Sequence, residues 1–193
     1  MEFHYTETKK LTISPKKKTI QDDSDDDYNQ TKANQTKKFP HSTYYGDILH
    51  GKAHGRGKWV WDDGNQVYEG EVKNDNINGR GKMKYEDGNE YDGEWKDGEQ
   101  NGRGKMKCKN GDEYDGEWKD GLVNGEGIHR WLEGYVYKGN LVNGNEEGYG
   151  IMSYPGGHIY KGQWKYGKQN GYGEVKYASG EIEKGEWVDG KLI

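Results

Sequence analysis

Cysteine is nearly absent: Cys108 stands alone among 193 residues. No internal disulfide can therefore staple the fold, and the chain suits a reducing compartment. Proline is scarce as well, with three residues. No stretch approaches the roughly 18 consecutive apolar residues that a spanning helix needs, and the first thirty residues lack the apolar run of a signal peptide. These gaps predict a soluble, cytoplasmic chain. Hydrophobic residues are only 29% of the sequence against 33% charged, too few aliphatic side chains for an ordinary two-layer core. An excess of cations is missing too. The net charge of −5 disfavours nucleic acid and anionic lipid, both of which draw positive surfaces.

What the chain has instead is glycine and large flat side chains: 32 Gly, 7 Trp and 16 Tyr. Such rings bury much area each while keeping a polar edge for a hydrogen bond. They are unevenly placed. Residues 1–43 hold no glycine and no tryptophan, but carry Lys16, Lys17 and Lys18 and the acidic cluster Asp22, Asp23, Asp25, Asp26 and Asp27. Blocks of opposite charge predict a solvated, disordered tail over 1–43.

Residues 44–193 form a repeat array. Residues 91–104 read YDGEWKDGEQNGRG and residues 114–127 read YDGEWKDGLVNGEG. The frame starts at Tyr44, Tyr68, Tyr91, Tyr114, Tyr137 and Tyr160, with a terminal half-copy from Glu183. The six full copies have about 23 residues each, and the first carries one extra residue just after Gly64. Within the frame every glycine but Gly156 falls at position 3, 8, 12, 14 or 21.

That spacing excludes helix, since each internal glycine costs a helix about 1 kcal/mol relative to alanine. It suits strands. Position 1 is Tyr, position 3 Gly and position 5 a large apolar residue, as in Tyr91, Gly93 and Trp95, the two-residue alternation of a half-buried strand. Gly79, Gly81, Met83 and Tyr85 at positions 12, 14, 16 and 18 make a second strand. Residues 97–101 and 120–124 are expected to connect the two strands, and pairs such as Asp87-Gly88 to connect the repeats. The glycines share a face with the rings and leave them room to lie over the backbone. The expected fold is all-β: an elongated single-layer antiparallel meander of β-hairpins, roughly 60 Å long at ~4.8 Å per strand.

Tyr-x-Gly-x-Trp-x-x-Gly followed by Gly-x-Gly, as in Tyr91, Gly93, Trp95, Gly98, Gly102 and Gly104, resembles the MORN (membrane occupation and recognition nexus) repeat. The resemblance implies a scaffold sheet used in cytoskeletal, ciliary and junctional assemblies, radial-spoke-head proteins among them. Three positions depart from the pattern: Glu183 at position 1, Asp75 at position 8 and Cys108 at position 18. The half-copy is expected to supply a lone final strand that leaves an edge, either blunted by Glu183, Lys184 and Glu186 or paired with another chain in self-association.

No motif points to catalysis, cofactor or metal. Gly-x-Gly pairs such as Gly55 and Gly57 have no helix after them to complete a dinucleotide site. The histidines occupy unlike frame positions, and carboxylates such as Glu71, Glu94 and Glu117 recur by repeat rather than converging on a cleft. Those carboxylates are expected to pair across strands with Arg56, Arg80, Arg103, Lys58, Lys82 and Lys105.

Two surfaces are candidates for protein partners. On the outward face the early Arg and Lys positions give way to Ile128, Tyr149, Ile151 and Tyr172, joined by Val142, an apolar patch that either meets a partner or reflects cover by the tail or plain strand propensity. On the opposite face Trp95, Trp118 and Trp164 either pack on one another or line an aromatic groove for a peptide or helix. The function expected is a non-catalytic scaffold or adaptor, cytoplasmic and associated with the cytoskeleton or cilium. The alternative is a membrane-associated adaptor that binds anionic lipid through the repeats or the tail lysines; acidic Glu69, Asp92 and Asp115 beside the cations make lipid binding by the array weak or absent.

Overall fold

Type I′ turns set the architecture. In the computed structural model, which describes residues 32–193, positive φ occurs at both members of His50-Gly51, Asn74-Asp75, Asp97-Gly98, Asp120-Gly121, Asn143-Gly144, Tyr166-Gly167 and Asp189-Gly190. Two successive left-handed residues match the twist of an antiparallel hairpin, so each pair turns the chain straight back on itself. The result among the described residues is strands alone, in an open antiparallel sheet whose strand order is the chain order.

Two compact units share these strands, residues 32–86 with Asp92–Glu99, and Asp87–Tyr91 with Gln100–Ile193. The first holds β1 (Lys32–Phe39), β2 (Ser42–Leu49), β3 (Lys52–Trp61), β4 (Val67–Lys73), β5 (Asn76–Lys84) and most of β6 (Glu90–Lys96). The second is built on β7 (Glu99–Lys107), β8 (Glu113–Lys119), β9 (Leu122–Arg130), β10 (Val136–Val142), β11 (Asn145–Ser153), β12 (Ile159–Lys165), β13 (Lys168–Lys176), β14 (Ile182–Val188) and β15 (Lys191–Leu192).

Within a repeat the strands pair glycine to glycine and then slip. Gly70 faces Gly81, but the next pairs are Val72 with Ile77 and Lys73 with Asn76, leaving residues 78–80 opposite Glu71 alone. Gly79 absorbs this bulge at φ +93, a conformation that suits glycine. Between repeats the connection is a three-residue loop: Gly111 N–H donates to Cys108 O and Cys108 N–H to Asp112 O, with glycine again in the left-handed region. The extra residue of the first copy sits in the corresponding loop, where Gly64 N–H donates to Trp61 O and Asn65 N–H to Asp63 Oδ1.

Three expectations need correction. Disorder over 1–43 fails at its C-terminal end, because Lys32–Phe39 is strand β1 and Ser42 already belongs to β2; the lysines at 16–18 and the acidic cluster at 22–27 lie outside the described residues. Residues 97–101 and 120–124 are not loops, since the turns take only two residues and β7 and β9 begin directly after them. Position 10 therefore lies in a strand, and Ala53, Ile77, Gln100, Val123 and Glu146 are buried there. The strand of the half-copy is not alone either: β15 pairs with it through Trp187↔Leu192 and Val188↔Lys191.

A candidate partner-binding face

The aromatic face is built by one contact repeated. Each position-1 tyrosine lies over the paired glycines of its own repeat: a Cβ on Gly81 would strike the Tyr68 phenol, and one on Gly127 the Tyr114 phenol. The hydroxyl then donates to a backbone carbonyl, Tyr68 to Glu71 O at 2.7 Å and Tyr114 to Glu117 O at 3.1 Å. Burial raises these phenols, Tyr44 to about 12, so they stay protonated donors. Tryptophan ties one repeat to the one before. The indole N–H of Trp95 donates to Gly81 O at 2.9 Å in the first unit; in the second, Trp118 reaches Gly104 O at 3.1 Å and Trp164 reaches Gly150 O at 3.3 Å.

The rings meet edge to face, the geometry that aromatic quadrupoles favour. Tyr68 and Trp95 are 5.6 Å apart at 86°, Tyr91 and Trp118 5.2 Å at 81°, and Tyr137 and Trp164 5.4 Å at 84°. Trp95, Trp118 and Trp164 keep only 5%, 3% and 6% of their surface. They are core side chains with satisfied indoles. Of the two readings of this face the self-packed one describes the structure, and these three tryptophans do not line an open groove.

The outer face of the first unit is an ion-pair lattice, as the alternation of charge predicts. Arg56 stands opposite Glu71 and Lys58 opposite Glu69, at 3.4 and 2.8 Å. The second unit begins alike, with Arg103 to Glu117 at 3.8 Å and Lys105 to Glu113 at 2.7 Å. Then the pattern changes. Ile128 faces Lys138, and Lys138 faces Ile151, which faces Lys161, so the two half-buried isoleucines flank a lysine in one row. In the neighbouring row Tyr149 faces Gln163 and Tyr172 faces Glu186. Both phenols are 59% exposed.

Val142 lies on the same face of β10 as Lys138, toward the far end of the strand. It pairs with Asn145 at the hairpin end, beyond the register slip, and is exposed there. One surface aromatic was not legible as a candidate: Tyr166 takes the turn position that Asp or Asn fills in four of the other full repeats and in the half-copy, at φ +50, and is 75% exposed. Its only signal in the sequence is a tyrosine in place of a turn former.

Comparison with known proteins identifies the repeat. No curated protein matches the chain. Among solved structures it is similar to the TCP10 domain of Danio rerio CPAP, solved with a peptide of Danio rerio STIL. That match has 15% identity and a TM-score of 0.46, covering 79% of this chain and 66%, just under two thirds, of the other. It is also similar to the SAS-4 (dCPAP) TCP domain of Drosophila melanogaster, solved with a proline-rich motif of Ana2 (dSTIL), at 11% identity and a TM-score of 0.49, covering 90% of this chain and 99% of that one. The MORN repeat model matches residues 44–66, 68–90, 91–113, 114–134, 137–159 and 160–182, well over half of the chain and in phase with the tyrosine–glycine–tryptophan frame, and the chain therefore belongs to the MORN-repeat family.

Proposed function

We infer that the protein is a non-catalytic scaffold that binds protein partners, and that it does so on the outer face of β11 to β13. The observation that carries this reading is the pair Tyr149 and Tyr172, largely exposed at the frame position where Arg56 and Arg103 make ion pairs. Exposed tyrosines beside half-buried Ile128 and Ile151 give a partner apolar area at low entropic cost, with hydroxyls left for hydrogen bonds. Membership of the MORN-repeat family and the resemblance to radial-spoke-head proteins favour a cytoplasmic site in a cytoskeletal or ciliary assembly. Lipid binding by the array is disfavoured, because Arg56, Lys58, Arg103 and Lys105 are matched by carboxylates.

The test is to follow tagged full-length chain in its native cell through nonionic detergent extraction, beside a Tyr149→Ser/Tyr172→Ser variant. Retention of the parent on the detergent-resistant skeleton, with release of an equally stable variant, is the expected result. Release of both by detergent from a membrane fraction would overturn it in favour of the lipid adaptor.

A further inference from the structure

Strand β1 belongs to none of the matched repeats, yet it covers the edge of β2 from Phe39↔Ser42 to Gln35↔Gly46, with a further pair at Lys32↔Ile48 beyond an irregularity. Six of its eight residues are exposed, and the two that are not are Lys37 and Phe39, two apart and therefore on one face. Each meets a prepared partner. Lys37 Nζ donates to both carboxylate oxygens of Asp75, at 2.7 and 2.8 Å, and to Gly51 O at 2.8 Å. The Phe39 ring lies 4.6 Å from that of Trp59, whose indole is fixed by Ser42 Oγ at 2.7 Å.

Asp75 is the departure from glycine noted in the frame. At φ +66 it occupies a left-handed turn position that glycine fills in the other repeats, a conformation that disfavours side chains and persists where something else holds it. Here the carboxylate also accepts Ala53 N–H at 2.7 Å. The array thus presents a strand edge, a cation receptor made of a carboxylate and a carbonyl, and an aromatic platform. These are the parts of a strand-addition site, in which the backbone ladder supplies affinity and side-chain receptors supply choice.

We propose that the N-terminal edge of the array is a peptide-binding site selective for an extended segment with lysine two residues ahead of an aromatic, and that β1 is its tethered occupant. The occupant excludes competing strands because a short tether keeps its local concentration high, on the order of millimolar. An outside peptide enters only when β1 is disengaged.

The test uses the full chain carrying Thr36→Pro/Lys37→Pro. Of two successive strand residues one amide faces the neighbouring strand, so the double substitution removes a ladder donor together with the lysine. Fluorescent peptide of residues 32–41 is titrated into it, beside a peptide with Lys37→Gln. The proline variant is expected to bind the native peptide at least tenfold more tightly than the Lys37→Gln peptide and at least tenfold more tightly than the parent chain does. Equal binding of both peptides, binding of neither by a chain with an unshifted array melting transition, or equal binding by the parent would each overturn the proposal. Should the proline variant fail to fold, Asp75→Asn in the otherwise native chain decides, because asparagine suits the left-handed turn and keeps the Ala53 bond. Amide exchange in β1 and β2 is expected to quicken about tenfold while β4 and β5 are unchanged; unchanged exchange in β1 would overturn it.

Discussion

His129 stands at position 16, where Met83, Met106, Met152 and Val175 fill the same buried site. Its ring is 3.8 Å from that of Trp131, and burial holds its pKa down at about 4, against a weaker upward pull from Asp112. The unfolded chain takes up a proton near 6.5 that the folded chain refuses, so stability is full above 6.5 and falls as pH drops toward 4, by about 3 kcal/mol. His129→Met should flatten that acid limb in a series of melting curves against pH. Glu146 has the opposite sign, since burial raises its carboxyl above the usual range. The folded chain then loses stability as pH climbs from about 4.5 to the raised value, and the loss persists above it. Glu146→Gln, matching Gln100 and Gln169 at position 10, should raise the melting temperature at pH 7 and leave it little changed at pH 4. Glycine separates by the same logic of place. A Cβ on Gly104 would meet the Tyr91 phenol, so Gly104→Ala should cost about 3 kcal/mol. Around Gly144 nothing lies within 4 Å, and Gly144→Asn should stay within about 0.5 kcal/mol in denaturant titration.

At the scale of the hairpin, Tyr166 is the test of turn chemistry. Tyrosine at φ +50 crowds its own carbonyl, where asparagine is tolerated. Tyr166→Asn keeps the N–H that bonds Glu147 Oε2 at 3.1 Å and should stabilise the chain by about 1 kcal/mol, read from chemical denaturation. The hairpins themselves were legible because glycine and tyrosine alternate visibly along each first strand. Position 10 was not, because Gln100 and Glu146 disguise as polar loop a row that Ile77 and Val123 mark as buried. Strand β1 was illegible for a different reason: its partners Asp75 and Trp59 are distant in sequence, and no alternation within residues 32–39 announces them. Of the candidate site, the row Ile128–Ile151 followed from register, and Val142 keeps the outward face read for it, because a bulge that shifts pairing by two residues preserves the alternation.

Across the whole molecule the unit of stability is the contact between one repeat and the next. Trp95, Trp118 and Trp164 each bond the glycine carbonyl of the preceding repeat, so a defect is felt first by neighbours. Trp164→Ala should cost about 4 kcal/mol, with faster amide exchange in β10 to β13 and unchanged protection in β2 to β5. Because Trp164 is core, the fraction that remains folded should capture partner as the parent does; selective loss of capture would show that the ring is part of the binding surface. The two kinds of connection also divide what the gene can tolerate. A codon gained at the inter-repeat end, as after Gly64, is taken up in a loop and leaves every downstream ring on its own side. The same gain between Asp97 and Gly98 would either break a two-residue turn whose geometry matches the strand twist or move every side chain of the next strand to the other face. Lineages of this array can therefore be expected to vary in length at one margin of the sheet and to be almost invariant at the other, growing otherwise only by whole duplicated repeats.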